Sequence, residues 1–130
     1  MTNQSHVSVA RILLIEDDHF IGEMYTRSLR SANYEVDWAV DGEEGFASAA
    51  SGKYDLLLLD IMLPEKTGNE ILRELKSPED KIPNTRVIVM TNFEQDESSR
   101  VAMEADADAY LIKADTTPRR MLEVVRQVLA

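Results

Sequence analysis

Three acidic residues, a threonine and a lysine stand at the ends of apolar runs in this chain, and together they could handle phosphate. Glu16 and Asp17 follow Arg11-Ile12-Leu13-Leu14-Ile15. Asp60 closes Tyr54-Asp55-Leu56-Leu57-Leu58-Leu59-Asp60, with Met62 and Pro64 just beyond. Thr91 ends Arg86-Val87-Ile88-Val89-Met90-Thr91, and Lys113 ends Ala109-Tyr110-Leu111-Ile112-Lys113. Apolar runs of this kind, bounded by charge or turn residues, read as strands buried on both faces. If the strands are parallel, their carboxyl ends share one edge, which is where open α/β sheets bind ligands. Carboxylates crowded there raise one another's pKa and call for a counter-ion. Mg2+ takes oxygen ligands from one or two carboxylates, from water and from phosphate. An ammonium at the end of an apolar strand is costly unless an anion faces it, and Thr91 adds a small hydroxyl donor. A carboxylate, a metal, an ammonium and a hydroxyl around one point suit in-line phosphoryl transfer, which is mostly positioning and charge neutralisation. Asp60 is the expected nucleophile, forming an aspartyl phosphate.

Helical periodicities lie between these runs. Ile21, Met24, Tyr25, Ser28, Leu29 and Ala32 share one face of a helix expected from Phe20 to Ala32, with Asp18 as its N-cap and Asn33 as a left-handed stop. Tyr34 to Val40 alternates polar and apolar, which predicts an edge strand covered on one side. Asp41 with Glu44, and Thr67 with Glu70, match capping boxes. The first opens a helix to about Ser51 with Gly52 at its exit, and the second a helix with Ile71, Leu72 and Leu75 buried. Ser77 to Asn84 reads as a loop. Asn92 with Gln95 opens a fourth expected helix to about Ala105, with Val101, Ala102 and Ala105 inward. Thr117 followed by Pro118 opens the last, with Met121, Leu122, Val125, Val128 and Leu129 on its apolar face. Five βα units with short links predict a doubly wound α/β three-layer sandwich whose parallel sheet runs in the order 2-1-3-4-5. That order sets strands one and three side by side, so Glu16, Asp17 and Asp60 should meet.

Composition narrows the function. The chain has 130 residues, a single-domain length. It has no cysteine, which excludes disulfides, thiolate metal sites and a cysteine nucleophile. No stretch is long and apolar enough to span a membrane, and the start lacks the pattern of a signal peptide. A net charge of −10 argues against direct binding to nucleic acid or anionic membrane, and favours basic partner surfaces and divalent cations.

The ordered motifs Ile-Glu-Asp-Asp (15–18), Leu-Asp-Ile-Met-Leu-Pro (59–64), Val-Met-Thr (89–91) and Tyr-Leu-Ile-Lys (110–113) make the chain resemble a two-component response-regulator receiver domain, with the flavodoxin-like fold of the chemotaxis regulators. The resemblance covers roughly Arg11 to Leu129. It implies a flexible tail over residues 1–9 and a receiver domain over 10–130, with no output domain following. It implies phosphoryl transfer to Asp60 from a sensor histidine kinase or histidine phosphotransfer protein in the cytoplasm. Asp17, Asp60 and the backbone carbonyl of Met62 would bind Mg2+, and Glu16 would act through water. Lys113 would pair with the phosphoryl group, Thr91 would swing toward it, and Tyr110 would turn inward as the coupled switch. The last two helices and the fifth strand would form the output face, toward a downstream protein or a second copy. The protein would assist its own phosphorylation and slow dephosphorylation without an external substrate.

Two rivals are weighed against this. A haloacid-dehalogenase-type phosphatase also uses an Asp after a strand but needs a second Asp two residues on, where this chain has Met62. A phosphate-independent interaction module would have no need of the full acidic, Thr91 and Lys113 set. Trp38 and Phe46 read as packing residues, and His6 and His19 as exposed. Three positions depart from the family pattern: Asn92 after Thr91, Asp106 where glycine is frequent, and Ala114 where proline usually follows the lysine. The Lys113-Ala114 bond is therefore expected to be trans or locally strained, since a cis bond before a residue other than proline costs about 2.5–4 kcal/mol. Asn92 and Met62 are expected to tune the access of the hydrolytic water.

Overall fold

A computed structural model describes residues 9–64, 66–92 and 107–130. The expected fourth helix, with Val101, Ala102, Ala105 and Asp106, lies outside the described residues, as do the expected tail up to Ser8 and His6. Five strands are present: β1 (Arg11–Ile15), β2 (Glu35–Ala39), β3 (Leu56–Asp60), β4 (Arg86–Thr91) and β5 (Ala109–Ile112). They form one sheet in the order β2-β1-β3-β4-β5, with every neighbouring pair parallel. Helices α1 (His19–Ser31), α2 (Gly42–Ala49) and α3 (Gly68–Lys76) and a C-terminal helix (Pro118–Leu129) cover it. The α/β fold and the strand order match those expected.

Alternation along the strands divides the core in two. In β3, Leu56 and Leu58 face Ile12, Leu14, Ile88 and Met90, beneath Tyr25 and Leu29 of α1 and Met121 and Val125 of the C-terminal helix. Leu57 and Leu59 face Leu13, Ile15, Val87 and Val89 on the other side, beneath Ile71 and Leu75 of α3. All five residues of β3 are buried. Each leucine removed from water contributes about 1.5–3 kcal/mol, so the strand that carries Asp60 is firmly held. On the edge strand β2, Val36 and Ala39 are buried while Glu35 and Asp37 are exposed, the pattern expected of a strand covered on one side.

The helix starts follow their caps. Asp18 accepts a hydrogen bond from Ile21 N–H at 3.0 Å, Asp41 from Glu44 N–H at 2.8 Å, Thr67 from Glu70 N–H at 3.2 Å and Thr117 from Arg120 N–H at 3.1 Å. Asn33 adopts φ 72° just past α1, and Gly52 φ 73° past α2. The buried face of α1 is rotated from the expected one. Gly22 and Thr26 are buried beside Tyr25 and Leu29, whereas Ser28 is only half-buried. The cause is Trp38, whose ring crosses from β2 onto the Gly22 side of the helix. On the C-terminal helix, Val124 is buried in addition to Met121 and Val125.

A second set of polar contacts laces the amino edge of the sheet. Asp55 Oδ2 accepts the Arg11 N–H at 2.8 Å, joining β3 to β1. Tyr54 donates its hydroxyl to Asp37 on β2 at 2.6 Å, and its own carbonyl accepts the Thr85 hydroxyl at 2.7 Å. Asp108, just before β5, accepts the Val87 N–H of β4 at 2.8 Å. Tyr54 and Asp55 were expected inside the third strand. They instead form its lead-in, where their side chains stitch neighbours together.

Gly68 opens α3 directly against the end of β3. A Cβ there would fall 2.6 Å from Ile61 Cα and 2.7 Å from the Asp60 carbonyl oxygen, both backbone atoms that cannot yield cheaply. Gly68→Ala is expected to destabilise the protein by about 1–3 kcal/mol through overpacking. Urea unfolding would measure it, and a midpoint equal to that of the wild type would show that α3 shifts freely.

Candidate functional site

Parallel pairing brings four chemistry-bearing strand ends to one edge. Ile15 pairs with Leu59, so Glu16 emerges beside Asp60. Asp60 pairs with Met90, so Thr91 stands one residue beyond it. Thr91 in turn pairs with Ile112, immediately before Lys113. The carboxylates of Glu16, Asp17 and Asp60 approach so closely that one oxygen from each lies within 4.8 Å of the others. Glu16, Asp60, Thr91 and Lys113 are buried, while Asp17 is half-exposed and opens the cluster to solvent.

Lys113 organises this pocket. Its ammonium donates to Glu16 Oε1 at 2.7 Å and to Asp60 Oδ2 at 3.2 Å. Glu16 Oε2 accepts the Asp18 N–H at 3.1 Å, and Asp60 Oδ1 accepts the Met62 N–H at 2.9 Å. Glu16 is therefore held directly by the lysine. Lys113 begins a 3-10 turn over Lys113–Asp115, and the Lys113-Ala114 bond is trans. Among the described residues the one cis peptide bond is Ser77-Pro78. Thr91 is fully buried, and Tyr110 is half-buried against the core layer that contains Leu57, Leu59 and Val89. Asn92 is exposed, and Met62 is 46% exposed.

The donor set fits a hard cation. It offers only oxygens, and three carboxylates against one ammonium leave a formal excess of two negative charges, which one divalent ion balances. Burial, and then the neighbouring Asp60, push the Glu16 carboxyl up from 4.5 to about 7 despite the opposing pull of Lys113. Burial alone would lower the Lys113 ammonium, but its hydrogen bond to Glu16 and the charges of Asp60 and Glu16 outweigh that and leave it raised.

A pH dependence follows. Between 4.5 and about 7 the folded protein retains a proton on Glu16 that the unfolded chain releases. Glu16 therefore contributes stability fully at pH below 4.5, and that contribution is lost as the pH rises through about 7. Metal-free wild type should lose on the order of 1–3 kcal/mol relative to Glu16→Gln between about pH 5 and pH 8. Urea denaturation at both pH values measures the difference, and a constant difference would mean that Glu16 stays ionised throughout.

The indole of Trp38 also reaches this edge, donating Nε1–H to the Glu16 carbonyl at 2.8 Å. Its ring meets that of His19 edge-on, with centroids 5.7 Å apart. Sequence reasoning took Trp38 for a packing residue. A strand residue's reach to a neighbouring loop depends on sheet twist and rotamer, which periodicity does not encode.

Comparison with known proteins places these features in context. A family model for the response regulator receiver domain matches residues 12–126. The regulatory protein VanRB of Enterococcus faecalis is 38% identical over 120 residues, covering 92% of this chain and 51% of that protein. The transcriptional regulatory protein CusR of Escherichia coli is 37% identical over 103 residues, covering 79% of this chain and 44% of that protein. The chain spans about half the length of the curated relatives it matches. Among solved structures, a CheY-like receiver domain from Methanospirillum hungatei superposes with a TM-score of 0.80 at 33% identity, over 94% of each chain. The BeF3-activated receiver domain of DrrB, a Thermotoga maritima protein, gives 0.78 at 30% identity, over 94% of this chain and 98% of that one.

Proposed function

Because the chain belongs to the response regulator receiver domain family, we propose that it is a switch turned on by phosphorylation of Asp60. The observation that carries this reading is the buried Lys113 bridging Glu16 and Asp60, with Asp17 at the solvent side of the same cluster. An Asp60 oxygen attacks the phosphorus of a phosphohistidine donor. The P–N bond breaks and the leaving imidazole takes a proton. Asp17 and Asp60, together with the Met62 carbonyl, would hold Mg2+, with Glu16 in support. That ion, when bound, offsets charge on the transferring group. Lys113 then moves its contact from the free carboxylate to the new phosphoryl oxygens.

Phosphorylation brings roughly −1.5 to −2 charge into the pocket. Thr91 donates its hydroxyl to the added group, and Tyr110 follows into the space that Thr91 leaves. This biases the fifth strand and its flanking helices toward a form that binds a downstream protein or a second copy. Asn92, next to Thr91, and Met62, two residues past Asp60, are both exposed and set the access of hydrolytic water. The donor is a sensor histidine kinase or phosphotransfer protein of the cytoplasm. No described helix is long and apolar enough to cross a membrane. The haloacid-dehalogenase alternative is disfavoured by exposed Met62, which offers no carboxylate where that chemistry needs one.

Incubation with acetyl phosphate tests the proposal. Intact-mass spectrometry should show a gain of one phosphoryl group in Mg2+ and none in excess chelator. A chain that stays unmodified in Mg2+ would overturn the reading.

A further inference from the structure

We propose that Trp38 is a positioning residue for the acidic site, holding the backbone that aims Asp17 at the cation. The inference rests on the cation reading given above. Trp38 sits on β2 opposite Leu14, one position before Ala39. The Glu16 N–H donates to the Ala39 carbonyl at 3.0 Å, and the Glu16 carbonyl accepts the Trp38 indole N–H at 2.8 Å. Both backbone polar groups of Glu16 are thus fixed by the edge strand, one residue past the last pair of the β1–β2 ladder. The Glu16 side chain is fixed separately by Lys113 and by the Asp18 N–H.

Peptide planarity turns this anchor into an orientation. The Glu16 carbonyl and the Asp17 nitrogen belong to one rigid plane. A hydrogen bond that sets the carbonyl direction therefore sets the direction in which Asp17 leaves the strand. Asp17 is the half-exposed carboxylate of the cluster, and its own side chain has the least burial to hold it. Without the indole, the Glu16 carbonyl would lose its one side-chain donor among the described residues, and the plane that leads into Asp17 would be held only by the Glu16 N–H and the Asp18 N–H on either side.

The segment is shaped to receive the ring. A Cβ on Gly22 would fall 2.0 Å from Trp38 Cζ2 and 2.3 Å from Cε2, so the indole occupies a notch that only glycine leaves open. The Gly22 N–H donates to the Asp18 carbonyl at 2.8 Å, which joins the notch to the same loop. His19 closes over the ring edge-on. One indole therefore touches the loop at Glu16 and the first turn of α1 at His19 and Gly22. Phenylalanine could fill the notch, but only tryptophan fills it and also donates to the carbonyl.

The full chain and two variants, Trp38→Phe and Gly22→Ala, test the assignment by calorimetric titration with Mg2+ alone. The first keeps a ring and removes the donor, whereas the second keeps the donor and displaces the ring. Each should weaken Mg2+ binding by about tenfold, the scale seen when an outer-shell partner of a metal site is lost. Trp38 is the sole tryptophan, so its emission should change during the wild-type titration with the calorimetric midpoint. A residue that merely packs would lower the unfolding midpoint and leave the Mg2+ affinity unchanged, and equal affinities in wild type and variants overturn the assignment. Should Trp38→Phe fail to fold, Gly22→Ala decides by the same criterion. A wild-type chain that binds no Mg2+ overturns the cation reading itself, whereas a wild type that binds and variants that bind equally well overturn only the role of Trp38.

Discussion

Asp60→Asn takes up no phosphoryl group from a small donor, and its metal-free form resists urea better than the wild type does. The first result follows from chemistry, because an amide oxygen at that position is not a carboxylate nucleophile. Losing the nucleophile of a covalent mechanism should reduce the rate by on the order of 10⁴ or more. The second follows from charge. The cluster carries a formal excess of two negative charges in a buried site, and the variant removes one. Asparagine still offers an oxygen to the Met62 N–H, which Asp60 now holds at 2.9 Å. A gain of about 1 kcal/mol is expected in the absence of Mg2+. Intact-mass spectrometry and urea denaturation read the two results. A labelled variant would move the acceptor to another residue. A less stable one would show that the Lys113 contact with Asp60 outweighs the repulsion.

Lys113→Met should have the opposite effect on stability. Lys113 Nζ lies 2.7 Å from Glu16 and 3.2 Å from Asp60, and both carboxylates are buried. Removing the cation leaves them facing each other uncompensated, at a cost of about 3–5 kcal/mol. The loss should be largest in chelator near pH 8, where Glu16 is ionised in the wild type. It should shrink as the pH falls below about 7, where Glu16 takes up a proton, and Mg2+ should restore more stability to the variant than to the wild type. Urea midpoints with and without Mg2+ at the two pH values give this comparison. Equal losses under all four conditions would point to lost packing of the lysine stem as the cause. The variant should also lose the phosphorylation-dependent response, since nothing else described at the site supplies a buried ammonium.

The residues that betray the site in the sequence are those whose chemistry contradicts their surroundings. A lysine closing an apolar strand and an aspartate ending four leucines both demanded partners, and the structure supplies each with the other. The caps at Asp18, Asp41, Thr67 and Thr117 were equally readable, because a capping bond spans only three residues. Contacts set by strand twist and rotamer were not readable. The direct grip of Lys113 on Glu16 spans 97 positions, and the indole bond spans 22. The same ring explains the rotated face of α1, since its intrusion beside Gly22 moves the buried stripe toward Thr26. The start of β3 was misplaced because Tyr54 is apolar enough to extend the run. Its hydroxyl bond to Asp37 instead makes it part of the lead-in.

The lacing at Asp55, Tyr54, Thr85 and Asp108 fastens the sheet at its amino end from β2 across to the residue before β5. The opposite end carries the pocket, and there the strands run out into loops. That end is tied through a charged hub instead, with Lys113 reaching from the end of β5 to Glu16 and Asp60, and Trp38 reaching from β2 to Glu16. Charge arriving at Asp60 would meet that hub before it reached the foot of the sheet. Its work would be delivered to the loop tips and helix starts on the same side, the surface on which an approaching protein would register the change.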